Sequence, residues 1–206
     1  MEIVTLENGP FMVNSFLVIN DAKKSAIIID PGFDVSPLLQ RVKDQSLSLR
    51  AIVATHGHLD HVEGVNKVKE KFAIPFYANR GDEQLMENLS LQARMFGVSD
   101  PGTVKIDEAL PDSGTVELGG LNLELLHTPG HSQGSLSIKI ENTVFAGDTL
   151  FNFSIGRTDL PGGDYGQLIA SIQNKLFTLP DETRILPGHG PETTVGHEKR
   201  MNPFFN

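Results

Sequence analysis

The chain contains no cysteine. It can therefore form neither a disulfide nor a thiolate zinc site, and any metal it binds must be held by imidazole and carboxylate. It has no apolar run of membrane-spanning length. Its first residues, Met1-Glu2-Ile3-Val4-Thr5-Leu6-Glu7, lack the basic start and apolar stretch of a signal peptide. These absences predict a cytoplasmic protein with no membrane partner. Cations are in deficit as well, 17 Lys and Arg against 26 Asp and Glu, for a formal net charge of −9. With no Lys/Arg block to neutralise phosphates, the balance argues against nucleic acid as a partner. There is no Gly-x-Ser-x-Gly elbow and hence no evident protein nucleophile. Short repeats and low-complexity tracts are missing too.

What remains is an ordinary globular composition, 39% hydrophobic and 21% charged over 206 residues. That length suits a single domain, 1–206, with a sizeable core. Oligomeric state is not legible. Short apolar runs alternate with Gly, Pro and Asn/Asp clusters. Phe11–Ile19, Ala26–Ile29 and Ala51–Ala54 read as strands. Ser36-Pro37 reads as an N-cap followed by proline at the first helical position, with Leu38, Leu39 and Val42 inward. Val65, Val68 and Phe72 recur at helical spacing before Pro75. Arg80–Phe96 reads as one helix with Leu85, Met86 and Leu89 inward, ended by Gly97. Val116–Leu126 reads as two strands split at Gly119-Gly120, and Leu136–Ile140 with Thr143–Ala146 as a hairpin. A helix capped by Asp164 and lined by Leu168, Ile169, Ile172 and Leu176 precedes a short strand at Ile185-Leu186 and a short helix over Thr194–Met201. Strands, then strand–helix alternation, then strands again predict an α+β fold with two sheets covered by helices.

The chemistry is concentrated in four places. His56, His58, Asp60 and His61 fall within six residues, directly after the strand Ala51–Ala54. His131 follows the turn Thr128-Pro129-Gly130, Asp148 follows Gly147, and His189 follows Pro187-Gly188. Each lies just past the end of an apolar strand. If those strands share a direction, the loops open at one edge, where side chains converge without burying bare backbone. His56 and His58, at i and i+2, can point one way from extended chain, and Asp60 and His61 to a neighbouring point. Asp148 has two oxygens and can bridge. Such a set suits two divalent ions about 3.5–4 Å apart, zinc first, with iron or manganese also compatible. Two ions bring roughly +4 against two carboxylates, leaving positive charge to stabilise an oxyanion. A lone histidine is ordinarily a surface or core residue, but five of the seven histidines fall in this constellation. His127 and His197 read as structural.

Thr55-His56-Gly57-His58-Leu59-Asp60-His61, His127-Thr128-Pro129-Gly130-His131-Ser132, Gly147-Asp148-Thr149-Leu150-Phe151 and Pro187-Gly188-His189-Gly190 resemble the motif series of the metallo-β-lactamase superfamily, above all its glyoxalase II (hydroxyacylglutathione hydrolase) branch. The resemblance implies a four-layer αββα sandwich. It implies that His56, His58 and His131 hold one metal, that Asp60, His61 and His189 hold the other, and that Asp148 bridges them. Asp60 and Asp148 would be the catalytic carboxylates. The reaction it implies is hydrolysis of a thioester such as S-lactoylglutathione by metal-activated hydroxide, releasing a thiol and a carboxylate.

Departures from the pattern bear on the substrate. β-Lactamases of the best-known class use a cysteine ligand near the Asp148 position, which is lacking here. Full-length glyoxalase II enzymes carry a C-terminal helical domain that holds glutathione, yet only 17 residues follow His189. Gly156-Arg157-Thr158-Asp159 resembles the segment where those enzymes place a glutathione-binding Lys and a Tyr. Arg157 could replace the Lys as a carboxylate clamp; Asp159 in place of the Tyr does not help an anion. The segment Gly156–Asp164 and the ending Asn202-Pro203-Phe204 resemble short single-domain members. The alternative within the fold is a persulfide dioxygenase with one iron at His56, His131 and Asp148. Gly190 after His189 argues for the dinuclear hydrolase instead. A lactonase or phosphodiesterase is a further reading. A non-catalytic scaffold is disfavoured because all seven ligand positions carry competent residues.

Overall fold

Apolar alternation along the strands sorts the core into three layers of side chains, seen in a computed structural model that describes residues 1–205. The first sheet runs β1 (Glu2–Asn8), β2 (Val13–Asn20), β3 (Ser25–Ile29), β4 (Ser48–Val53), β5 (Phe76–Ala78) and β6 (Glu108–Ala109), in that order. The second contains β7 (Ser113–Leu118), β8 (Leu121–His127), β9 (Leu136–Ile140), β10 (Thr143–Gly147), β13 (Arg184–Pro187) and β14 (Thr193–Thr194), ordered β14-β13-β10-β9-β8-β7. A small hairpin, β11 (Leu150–Phe151) and β12 (Ser154–Ile155), follows β10.

Successive residues of a strand face opposite sides, and here each side has its own partner. Phe16, Val18, Ile27, Ile29, Ala51 and Val53 point inward to meet Leu123, Leu125, Leu136, Ile138 and Phe145 of the second sheet. Leu17, Ile19, Ala26, Ile28 and Ile52 point outward, under Leu38, Leu39 and Val42 of α1 (Ser36–Asp44) and under α2 (Leu59–Val62), α3 (Val65–Lys69), α4 (Glu83–Glu87) and α5 (Leu89–Phe96). On the far side, Val144, Ala146 and Ile185 of the second sheet pack against Leu168 of α6 (Tyr165–Ser171), Ile172 and Leu176 of its π-helical continuation, and Val195 of α7 (Val195–Met201). The result is the αββα sandwich. Each such buried Leu, Ile or Phe is worth roughly 1.5–3 kcal/mol relative to exposure.

Strand direction positions the site. β3, β4, β5 and β6 are mutually parallel, as are β10 and β13. β9 is antiparallel to both β8 and β10, so β8 runs with β10. The carboxyl ends of β4, β8, β10 and β13 accordingly meet at one edge of the sandwich, where the sheets are stitched together. Asn14 N–H donates to Gly188 O at 2.7 Å, and Leu136 N–H donates to Thr55 O at 2.8 Å.

Several elements differ from the sequence reading. β1 was not expected; its inner side is only half-buried, so its apolar alternation is weak. Phe11 and Met12 lie in the turn before β2, with Met12 at φ 54°. Ser36 sits inside its helix, and its N–H is capped by the Asp34 carboxylate at 3.0 Å. The Arg80–Phe96 helix is broken in three, with a 3-10 turn at Arg80–Asp82 and a kink at Asn88 between α4 and α5. Gly97 does end it, at φ 69°, and Asp164 does cap α6 by accepting from Gln167 N–H. Among the described residues no helix is long and apolar enough to cross a membrane.

Candidate metal centre

Four loops deliver the side chains. After β4 the chain bends at Thr55-His56, is extended at His58 (φ −72°, ψ 152°), then turns into α2, which carries Asp60 and His61. The switch from extended chain to helix separates the His56/His58 pair from the Asp60/His61 pair. Gly147 at φ 50° ends β10 and presents Asp148. Gly188 precedes His189; a Cβ there would stand 2.3 Å from Asp148 Oδ1 and 2.6 Å from His61 Cε1. Glycine is required at 188 because the carboxylate and the imidazole occupy the space a side chain would take.

All seven predicted donors come together, in three overlapping triads: His56, His58 and His131; His56, His61 and Asp148; and Asp60, His61 and His189. Within each triad the donor atoms lie within 4.8 Å of one another. His58 Nδ1 faces His131 Nε2 at 2.8 Å. His61 Nε2 lies 3.4 Å from Asp148 Oδ1, and the other Asp148 oxygen lies 3.6 Å from both His131 Nε2 and His189 Nε2. His189 Nε2 is 3.2 Å from Asp60 Oδ2. Asp148 thus stands between the triads, the place of a bridging ligand. Three of these atoms, His56 Nε2, His61 Nε2 and Asp148 Oδ1, are buried without a hydrogen-bond partner. A buried polar atom without a partner costs about 1–3 kcal/mol, and three aimed at one spot suit cations. The donor set, imidazole and carboxylate without thiolate, fits zinc, iron or manganese.

The opposite ring nitrogens are held by a surrounding shell, which fixes tautomer and aim. His131 Nδ1 donates to Arg157 O at 2.8 Å, and His189 Nδ1 donates to Phe11 O at 3.0 Å. His61 Nδ1 donates to Asp30 Oδ2 at 3.0 Å. Thr55 Oγ1 donates to the same oxygen at 2.7 Å and faces His56 Nδ1 at 3.1 Å. The sequence reading missed Asp30, although Asp30-Pro31-Gly32 ends a strand just as the other ligand loops do. It missed Asp82 too, for which no local signal exists. Asp82 is 1% exposed. It accepts from Gly57 N–H at 2.9 Å, Ser132 Oγ at 2.7 Å and Gly134 N–H at 2.7 Å, tying the His56–His58 loop to the His131 loop.

The electrostatics divide the histidines. Burial, reinforced by the other imidazoles, pushes His56 well below its ordinary value. Burial and then His131 push His58 down to about 4. Burial would lower His61 also, but Asp60, Asp148 and Asp30 outweigh it and hold it well above the usual value. His189 is raised against its burial, chiefly by its hydrogen bond to Asp60. Burial would raise Asp60 and Asp148; the imidazoles, His61 foremost, outweigh it, so both carboxyls are lowered.

A cleft of about 390 Å³ opens over this cluster, walled by Phe11, Phe96, Phe151, Ile155, Arg157 and Leu160. Arg157 reaches it, but its guanidinium is held bidentately by Asp159, at 2.7 Å for both bonds, and both side chains are exposed. That pairing holds Asp159 down to about 2. His127 and His197 stand apart. His127 Nε2 bonds Gln133 O at 2.8 Å, and His197 packs edge-on against Phe153.

Comparison with known proteins gives a consistent picture. The sequence profile of the metallo-beta-lactamase superfamily matches residues 8–189. The hydroxyacylglutathione hydrolase GloC of Haemophilus influenzae is 42% identical, over 100% of this chain and 99% of its own. Among solved structures, the B3 metallo-beta-lactamase BLEG-1 superposes with a TM-score of 0.92 at 38% identity, covering 100% of both chains. TTHA1623, in a di-iron-bound form, superposes with a TM-score of 0.88 at 38% identity, over 98% of this chain and 99% of that one.

Proposed function

The chain belongs to the metallo-beta-lactamase superfamily, and from that premise we propose that it is a two-metal hydrolase of glyoxalase II type. Its substrate would be a thioester, S-lactoylglutathione or a related acyl-thiol. The observation that carries this reading is the convergence of seven buried or half-buried donors, three of their atoms orphaned, on the floor of an open cleft. His56, His58 and His131 would hold one divalent ion and Asp60, His61 and His189 the second, with Asp148 shared. Zinc suits this set, and TTHA1623 carries iron on a similar chain. Two bound divalent ions lower the pKa of water towards 7 and polarise a carbonyl, which supplies what the chain lacks in nucleophiles.

The remaining work falls to the protein. Asp148 and Asp60 keep their carboxyls ionised beside the imidazoles, so each can orient water by accepting its hydrogen bonds. Phe11, Phe96, Phe151 and Ile155 line the cleft and keep bulk water from the reacting carbonyl. Arg157 would take a carboxylate of the thiol, sharing its guanidinium with Asp159. Water adds to the acyl carbon, the carbon–sulfur bond breaks, and carboxylate, thiol and a proton leave.

The test is metal content by elemental analysis paired with a substrate panel. About two metals per chain and thiol release from S-lactoylglutathione are expected. One iron per chain with oxygen uptake on glutathione persulfide would replace this reading with the dioxygenase. Because BLEG-1 carries a lactamase name, a β-lactam belongs in the panel, and its hydrolysis in preference to every thioester would also overturn the proposal.

A further inference from the structure

A second cavity of about 390 Å³ adjoins the cleft, sharing His58, Gln92, Phe96 and Leu160 with it. It runs away from the His58 side of the metal centre, between α4–α5 and the segment Leu160-Pro161-Gly162. Its apolar surface comes from Leu85, Leu91, Met95, Phe96, Leu160 and Pro161. No Lys or Arg lines it. Its carboxylate, Asp82, is buried and committed to the three bonds described above. Three of the four side-chain amides lining it are committed too, and the fourth, Gln84, is exposed. Gln92 Nε2 donates to Leu85 O at 2.9 Å and Gln133 Nε2 to Gly162 O at 2.6 Å, while Asn88 Nδ2 donates to Gln84 O at 2.7 Å. Gln92 Oε1 meanwhile accepts from Leu59 N–H at 3.0 Å, which locks the trench wall to the helix carrying Asp60 and His61.

The trench therefore offers a ligand aliphatic, thioether and aromatic surface, and no charge. Leu91, Met95 and Phe96 are 48%, 69% and 44% exposed, an apolar cluster with nothing over it, of the kind that marks a binding groove. Phe96 also sets the boundary with the first cleft, edge-on to Phe11 at 5.4 Å. The one cation of the active-site mouth, Arg157, lines only the first cleft. A thioester with its carbonyl at the metal centre has two arms, and the two cavities differ in what they accept. The polar, carboxylate-bearing thiol matches the Arg157 side; the trench matches an acyl arm without charge.

We propose that the trench lined by Leu91, Met95 and Phe96 is an acyl-binding subsite that selects thioesters of extended apolar acyl groups over the short hydroxyacyl group. This rests on the thioester-hydrolase reading, and its test separates the two. Calorimetry on the metal-loaded protein compares acetate, butyrate, hexanoate and octanoate, the carboxylates such substrates would leave. Turnover of acetyl-, lactoyl- and octanoyl-glutathione is measured in parallel. The dissociation constant should fall by up to about fourfold per methylene buried, and octanoyl-glutathione should exceed lactoyl-glutathione in kcat/KM. In Met95→Asp and Leu91→Asp, both at exposed positions, the octanoate-over-acetate ratio should fall tenfold or more. Equal binding across the series, or a ratio unchanged in both variants, overturns the subsite. Chain-length-dependent binding without turnover of any thioester keeps the subsite and overturns the reaction. Sedimentation that shows a dimer dissociated by Met95→Asp would assign the apolar face to a second copy instead.

Discussion

Asp148 touches both halves of the centre, with one oxygen 3.4 Å from His61 and the other 3.6 Å from His131 and His189. Asp148→Ala should abolish turnover and lower metal content while leaving the far-ultraviolet circular dichroism unchanged, because the sheets pack through their apolar faces. Wild-type activity in the variant would remove it from the site. Gly188→Ala should produce a similar loss by displacement, its Cβ competing with Asp148 Oδ1 for the same space; two metals per chain in that variant would contradict the close packing. The histidines predict a proton count. His61 is held well above its ordinary value and His189 is raised above its own, so in the metal-free chain both keep their protons to higher pH than a free histidine, yet a ligand imidazole must be neutral. Loading near neutral pH should therefore release protons, and metal affinity should rise with pH until these groups are deprotonated. His58, pushed down to about 4, is already neutral and adds nothing there. Calorimetry in buffers of different ionisation enthalpy reads the number, and a zero result would refute the charge assignment. The seven candidate donors that the fold gathers were legible in the sequence because residue type and spacing mark them. Asp30 and Asp82 were not, because their partners are brought to them only by the fold.

The loops that aim the ligands are held to one another more by Asp82 than by their own hydrogen bonds. Its 3-10 turn, Arg80–Asp82, joins the end of β4 to the end of β8. Asp82→Ala would strand the N–H groups of Gly57 and Gly134, while the Ser132 hydroxyl would keep its bond to Ser135 Oγ at 2.7 Å. At about 1–3 kcal/mol per buried orphan, the loss should reach about 3 kcal/mol or more, a fall in Tm on the order of 10 °C for a domain of this size. Asp82→Asn, which keeps one acceptor oxygen, should recover part of it. A melting curve unchanged by the alanine would show that the loops hold without this bridge. This turn also explains a misread element. The sequence joins Arg80–Phe96 into one helix because its apolar spacing runs on through Asn88, but the Asn79 side chain caps the first turn by accepting from Gly81 N–H at 2.8 Å, that turn is 3-10, and the chain bends again at Asn88 (φ −101°, ψ 18°). Helix α1 and the Gly97 stop were legible because proline and glycine act locally. Strand β1 was not, because its identity rests on pairing with β2 along its whole length, which no local pattern announces.

The two sheets contribute unequally to the centre, and that gives the metals a structural consequence. The loop after β4 in the first sheet supplies His56, His58, Asp60 and His61, while loops of the second sheet supply His131, Asp148 and His189. Each ligand set takes residues from both. Backbone links at this edge, Asn14 to Gly188 and Thr55 to Leu136, hold the sheets in line, but they do not offset the burial of three partnerless atoms. Metal binding would, and only in the folded chain, so bound metal should stabilise the fold by mass action. With free metal at about a thousandfold its dissociation constant, the gain is about 4 kcal/mol per site, or a Tm on the order of 10 °C higher. Thermal denaturation before and after chelation, then with metal restored, measures this directly. His56→Ala in the first sheet and His131→Ala in the second should each shrink the chelator-induced shift, because either change opens the cross-link from one side. A shift undiminished by either substitution would show that the His56–His58–His131 set holds no stabilising metal. No shift at all would mean that the apolar layer between the sheets, Phe16 and Phe145 at its centre, holds the sandwich closed without the ions.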